Sequence, residues 1–395
     1  MHSKFIAFLK KNPCILRFCW FVAKQILQVV YLIIPKHKKQ ILFASFGGRS
    51  FNDSPKAIYD EICRRDDFKD WELIWVFINP ESIEIPRGEK IKMDSLAFFK
   101  ALLQSRIWVS NSGMDRDIFL NLKNVIKVET WHGTPLKKIC GDEHQNTMGG
   151  TRKIKGELDN KTIRCAQSEF DRHLFQRLFH ATKESILLCD LPRNDELLAY
   201  SAKKINTIRS SLKIPSNKKT ILYAPTYREY LWDDKGNNLI APPIHLDKWK
   251  AILGSEYVLL FRAHYAVGTA LNIKTDDFVI DVSSYPNLND LYAISDMMIS
   301  DYSSTYFDFS ILDKPMFCFA YDLEEYQEKR GLYLNLNETL PCSIHSNEDS
   351  LLDDIHKVNV AAASSKTHNF HVKFAPNAGR ASKTIVDEIC KRINL

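Results

Sequence analysis

The sequence predicts an α/β protein made of two doubly wound domains that face each other across a cleft, with a basic amphipathic segment in front of them. Three observations predict this. Short, apolar, β-rich runs alternate with helical stretches twice over, first from residue 41 and again from about residue 218, which is the pattern of parallel sheets with helical crossovers. A polar, helix-like stretch from Asn194 to Leu212 separates the two series. The length, 395 residues at 45% hydrophobic and 26% charged, suits two or three ordinary domains and excludes a disordered or collagen-like chain. The expected division is 1–40, 41–192 and 193–395.

The first segment is set apart by charge. Residues 1–40 carry eight Lys or Arg and no acidic residue, whereas the whole chain sums to +6. The remainder is therefore slightly acidic, and no nucleic-acid partner is expected. The run from Cys14 to Ile34 is long enough for a bilayer span, but Arg17, Lys24, Gln25 and Gln28 interrupt it on one stripe of an otherwise apolar helix. This suits a helix lying in a membrane interface with its charges towards headgroups, and Lys36-His37-Lys38-Lys39 adds attraction to anionic lipid. The alternative is a core helix packed on the domains. A signal peptide is disfavoured, because the apolar region is too long and lacks a small-residue cleavage site. The nine cysteines form no C-x-x-C pair, so free thiols in a reducing compartment are expected, and no metal or cofactor is.

In the first domain the predicted order is strand 40–44, helix 54–64, strand 71–78, helix 95–104, and strands 107–110 and 125–129. In the second it is strands 220–224, 257–262, 278–282, 297–300 and 316–320, and a last helix from Ala381 to Ile393 that could pack back across the cleft. Ligands of doubly wound domains sit beyond the carboxyl ends of the strands, and four segments lie there: Trp131 to Lys138, Pro225 to Arg228, Ala263 to Tyr265, and Asp301 to Thr305. His132, beside Gly133 and ahead of Pro135, has the setting of a general base. Ser303, Ser304 and Thr305 open a helix where free amides and hydroxyls can hold a phosphate. Arg262 and His264 alternate along an extended chain and point the same way, as a diphosphate clamp requires. Phe46-Gly47-Gly48-Arg49 reads as a tight turn after the first strand. Asp115-Arg116-Asp117 has the D-x-D form of metal-dependent glycosyltransferases but reads as a solvated turn. The absence of G-x-G-x-x-G and of a P-loop motif argues against a dinucleotide oxidoreductase or P-loop enzyme.

These segments resemble the CDP-glycerol glycerophosphotransferase family, the teichoic acid polyol-phosphate transferases. The resemblance rests on Trp131-His132-Gly133-Thr134-Pro135-Leu136-Lys137, Tyr223-Ala224-Pro225-Thr226-Tyr227-Arg228, Arg262-Ala263-His264-Tyr265 and Ser300-Asp301-Tyr302-Ser303-Ser304. Further matches are Asp53 to Tyr59, Leu191-Pro192-Arg193-Asn194-Asp195, Phe307-Asp308 and Asp313-Lys314-Pro315. Ser54 stands where the family usually has Asn, and Asp190 where it usually has Gly. The resemblance implies a GT-B fold of two Rossmann-like domains, the first handling the acceptor and the second holding a CDP-polyol. It implies transfer of glycerol phosphate, more than ribitol phosphate, to a hydroxyl of an undecaprenyl-diphosphate-linked glycan, releasing CMP, for wall teichoic acid or a capsule-like polymer. It also implies peripheral attachment to the cytoplasmic face of the cell membrane. Position by position, His132 becomes the base, and Arg262 and His264 neutralise the pyrophosphate. Ser303, Ser304 and Thr305 cradle phosphates, and Asp301 orients His264 or a ligand hydroxyl. Thr226 and Arg228 line the donor site, Lys137 is a candidate for acceptor phosphate, and Gly133 and Thr134 belong to the substrate-binding set. Gly141 to Lys161 would be either a loop closing over the acceptor or plain disorder. The rival readings are a nucleotide-sugar transferase of the same fold and a non-catalytic membrane-surface scaffold.

Overall fold

The structure, a computed structural model, describes residues 13–114, 120, 122, 124–143, 161–226, 228, 242–263, 273 and 275–394. It contains two sheets, and every strand pair in them is parallel. The first comprises β1 (Gln40–Ala44), β2 (Glu72–Phe77), β3 (Glu89–Lys92), β4 (Ile107–Ser110), β5 (Ile126–Glu129), β6 (Thr162–Ala166) and β7 (Ile186–Leu188), in the order β3-β2-β1-β4-β5-β6-β7. The second comprises β8 (Lys219–Tyr223), β9 (Tyr257–Phe261), β10 (Val279–Asp281), β11 (Met297–Ser300), β12 (Met316–Phe319) and β13 (Ile344–His345), in the order β10-β9-β8-β11-β12-β13. Both orders reverse direction in mid-sheet, between β1 and β4 and between β8 and β11. These are the places where a doubly wound sheet opens a crevice.

The central strands are continuous apolar runs because both faces of each sheet are covered. All five residues of β1 and of β9 are buried. Alternate residues serve opposite layers. Ile41 and Phe43 join Trp75 and Phe77 under helices α2 (Asp53–Arg64) and α8 (Ala381–Ile393), whereas Leu42 and Ala44 join Val76 and Trp108 under α3 (Leu96–Gln104) and α1 (Pro13–Ile33). The strands absent from the sequence reading are β3, β6, β7 and β13. Glu89-Lys90-Ile91-Lys92 is an edge strand whose charges block further pairing. Gly48, in the turn after β1, has φ +82°, and a Cβ there would lie 3.1 Å from the Val76 carbonyl.

Helix α1 combines features of both alternatives. Tyr31 is buried, and Leu27, Val30 and Ile34 pack beside it against the first sheet's layer. The opposite side carries Phe18, Phe21, Ile26, Val29, Leu32 and Ile33, with Leu32 81% and Ile33 76% exposed. The outward face is thus mostly apolar. Of the expected polar stripe, Gln25 is exposed and Lys24 and Gln28 are half-buried. No helix among the described residues is long and apolar enough to cross a membrane. The seven described cysteines are all free.

The expected helix over 194–212 is broken. Pro192–Ala199 is 3₁₀, Tyr200 and Ser201 are extended, and α5 (Ala202–Ser211) begins where the Ser201 hydroxyl accepts from the Lys204 amide. The chain returns to the first sheet at α8, whose Ala381, Ile385, Val386 and Ile389 are fully buried there. Each such Ile contributes about 1.5–3 kcal/mol of apolar burial. The Asp195 carboxylate caps α8, accepting from the Ala381 and Ser382 amides at 2.8 and 2.7 Å.

Candidate active site

The carboxyl ends of the two sheets meet, and hydrogen bonds span both mid-sheet reversals. In the first sheet Asn111, directly after β4, accepts at Oδ1 from the Phe46 amide (2.8 Å) and donates from Nδ2 to Asp53 (3.0 Å). In the second, Asp301 after β11 accepts from the Thr226 amide after β8 (2.8 Å).

His132 follows β5. Its neighbour Trp131 has φ +55°, an unfavourable region for a bulky residue. Trp131 is held there by stacking on His132 (ring centroids 4.2 Å) and by packing on Phe179 (5.1 Å). His132 Nδ1 lies 3.1 Å from the Asn111 carbonyl oxygen. A carbonyl can only accept, so Nδ1 carries the proton and Nε2 has the lone pair. Among the described residues none is hydrogen-bonded to Nε2. The residue keeps an exposed edge, yet the protein crowded around the rest of the ring, together with the Arg193 charge, lowers its pKa and favours the neutral form.

Gly133 is one point of contact between the lobes. At φ +141°, a Cβ on it would lie 2.7 Å from the Ser304 hydroxyl oxygen, so the His132 loop abuts the hydroxyl-rich turn after β11. The Ser303 hydroxyl accepts from the Thr305 amide (3.2 Å), and Thr305 Oγ1 lies 3.4 Å from Ser300 Oγ. Ser304 starts helix α6 (Thr305–Ser310) without a side-chain capping bond and is half-buried, so helix capping does not explain its hydroxyl. Arg262, after β9, donates to the Val282 and Tyr285 carbonyls at 3.1 and 2.8 Å. Burial lowers its pKa, as expected of a guanidinium held by carbonyls with no carboxylate bonded to it among the described residues. Thr226 Oγ1 is buried with no partner among the described residues.

Three of the expected site residues, Thr134, Arg228 and Asp301, are bonded within the protein. The Thr134 hydroxyl is fully buried against Gln167 and Asp171, at 2.9 Å from each. Arg228 is 2% exposed, with its charge taken up by Asp301 (2.8 Å) and by both oxygens of Asp322 (2.7 and 2.8 Å). Asp301 bonds the Thr226 and Tyr302 amides through one oxygen and Arg228 through the other. It is a positioning residue for the β8 loop. Lys137 is half-buried, with its backbone bridged antiparallel to Leu332. His264, Asp115-Arg116-Asp117 and 144–160 lie outside the described residues.

The residues missed from sequence form a bridge between the lobes. Arg193 donates to Asp53 (2.9 Å), to Asp308 of α6 (2.7 Å) and to the His132 carbonyl (3.1 Å). Asn194 donates to the other Asp308 oxygen (2.9 Å). Burial opposes ionisation of Asp53, but the Arg193 charge and bonds from Asn111 and Ser54 outweigh it and lower its pKa. At Asp308 burial prevails and the pKa is raised despite Arg193. Behind the loop, burial pushes Asp171 and Asp190 up to about 7, each bonded to Gln167. A cavity of about 370 Å³ lined by Gln167, Phe170, Lys373 and Phe374 lies on that rear side and not at His132. Each bridging residue follows a strand end or sits in a matched stretch, which is the signal that could have found it.

Comparison with known proteins places this geometry. The model of the family described as CDP-glycerol:poly(glycerophosphate) glycerophosphotransferase matches residues 26–391. A teichoic acid poly(glycerol phosphate) polymerase of Staphylococcus epidermidis is 36% identical over 370 residues, covering 90% of this chain but 51% of that protein. This chain therefore spans about half of that relative's length. A teichoic acid glycerol-phosphate transferase of Staphylococcus aureus is 34% identical over 373 residues, covering 90% of this chain and 94% of that one. The solved wall teichoic acid polymerase TagF superposes with a TM-score of 0.83 at 31% identity, covering 100% of this chain and 98% of that chain. A histidine-to-asparagine variant of TagF has been soaked with CDPG. A UDP-GlcNAc 2-epimerase from Neisseria meningitidis, at 13% identity and a TM-score of 0.55, shares the fold alone.

Proposed function

We infer the reaction from one premise: the chain belongs to the CDP-glycerol:poly(glycerophosphate) glycerophosphotransferase family. It transfers polyol phosphate, glycerol phosphate in preference to ribitol phosphate, from a CDP-polyol to a hydroxyl of a lipid-linked glycan and releases CMP. The observation that carries this reading is the state of His132, with Nδ1–H fixed by the Asn111 carbonyl and the Nε2 lone pair unengaged. Nε2 takes the proton of the attacking hydroxyl as the new oxygen–phosphorus bond forms. The bond from phosphorus to the CMP oxygen breaks. Charge moving to CMP is met by Arg262, whose guanidinium has no carboxylate bonded to it among the described residues, and by the hydroxyls of Ser303, Ser304 and Thr226; His264 joins that clamp. Phosphoryl transfer asks mainly for such positioning and charge stabilisation. In this division residues 41–192 receive the acceptor and 193–395 hold the donor, with α8 returning to the first sheet. The outward apolar face of α1 and the exposed Lys38 and Lys39 beyond it lie on the cytoplasmic surface of the membrane, where a lipid-linked acceptor is presented.

The test is CMP release from the purified protein, with CDP-glycerol and CDP-ribitol offered in parallel and a membrane extract as acceptor source. Acceptor-dependent CMP from one donor, lost in His132→Ala, is expected. Silence with both donors, while a nucleotide sugar yields nucleoside diphosphate, would move the function to glycosyl transfer.

A further inference from the structure

At the far end of α6 from the cleft, three side chains converge that the proposed reaction does not use. Helix α7 (Val360–Phe374) presents His368 and His371 one turn apart on the same face. Each ring nitrogen Nδ1 meets a separate oxygen of Asp313, at 3.0 and 3.1 Å. All three donor atoms lie within 4.8 Å of one another. Ligand atoms around a tetrahedral zinc ion, with bonds of about 2.0–2.1 Å, stand roughly 3.3 Å apart, which the two His–Asp distances already approach. The two imidazole rings stand at 89° with centroids 6.0 Å apart, so they approach the carboxylate from different directions.

The presentation is preset. Phe307 of α6 packs on Phe370 and Phe374 of α7 at 5.3 and 5.2 Å, which fixes the helix pair independently of the His–Asp contacts. Asp313 has φ +52°, a conformation that Gly or Asn adopts more readily, and this backbone turns its carboxylate towards α7. His368 is exposed and Asp313 and His371 are half-buried, so a cation can enter from the His368 side and retain water at its remaining positions. Two imidazoles and one carboxylate suit a borderline divalent transition ion, whereas Mg²⁺ and Ca²⁺ prefer all-oxygen sites.

We propose that Asp313, His368 and His371 form a binding site for a divalent transition-metal ion that ties α7 to the turn after α6. The test uses the full chain, stripped with chelator and desalted, with Zn²⁺ titrated against a chromophoric competitor and Co²⁺ as spectroscopic probe. One zinc per chain is expected, with visible cobalt bands, no competition from millimolar Mg²⁺ and a higher thermal midpoint on zinc addition. His371→Gln or Asp313→Asn weakens zinc binding at least about tenfold, and the cobalt bands vanish in His368→Gln/His371→Gln. Both histidines lie at the surface, and circular dichroism checks that the variants fold. Zinc affinity within twofold of wild type in the double variant, or cobalt bands that persist in it, would overturn the site.

Discussion

At the scale of single residues, the consequences follow from where charge is held. Because protein crowding and Arg193 lower the His132 pKa, its neutral, proton-accepting form persists below the ordinary value of about 6.5. The rate kcat/KM should therefore rise with pH along a limb centred below 6.5 and be flat by pH 7; a limb centred above 7 would assign the base elsewhere. Arg193 makes a second prediction. Arg193→Ala leaves Asp53 and Asp308 buried without their shared cation, and breaking a buried pair in this way costs about 3–5 kcal/mol. Urea unfolding should show that loss, and adding Asp308→Asn should restore part of it. The same residues explain what the sequence could and could not disclose. That His132 and Ser304 stand at strand ends was legible. The partners of Thr134, Arg228 and Asp301 were not, because they are remote: 33 and 37 residues away for Thr134, 73 and 94 for Arg228. Whether a hydroxyl or a guanidinium is free for a ligand depends on such partners, and local spacing carries no information about them.

At the scale of elements, strands were legible where burial on both faces demands an apolar run, as in β1, β9 and β11. They were illegible where an edge admits charge, as in β3, or where two or three residues suffice, as in β13 and β7. Helix α1 was read as either a membrane element or a core element because it is apolar nearly all round. One side packs, and the other presents Phe18, Phe21, Leu32 and Ile33 to the outside. Deleting residues 1–40 would uncover the layer that Tyr31 covers, so point changes are the better probe. Phe21→Asp with Leu32→Asp should release the protein from anionic vesicles in a sedimentation assay while leaving the thermal midpoint within a few degrees. Undiminished sedimentation would place the lipid contact elsewhere.

At the scale of the whole molecule, the site belongs to neither sheet alone. Gly133 and Ser304 touch, and Arg193 joins Asp53 to Asp308. Gly133→Ala introduces a methyl group where only 2.7 Å separates its position from the Ser304 hydroxyl, at a backbone angle that L residues rarely adopt. It should lower kcat at least about tenfold, and a wild-type rate would mean that the lobes do not work in contact. The described chain crosses between the lobes twice, at Pro192–Ala199 and just before α8, and Asp195 bonds one crossing to the other at 2.8 and 2.7 Å. Two crossings fastened together act as a single pivot. Sliding one lobe past the other would break that fastening. Arg193, two residues from the pivot, also touches the His132 loop, so His132 and Ser304 sit close to it. Opening of the cleft about that point would part its outer rim most and change the spacing between His132 and Ser304 least.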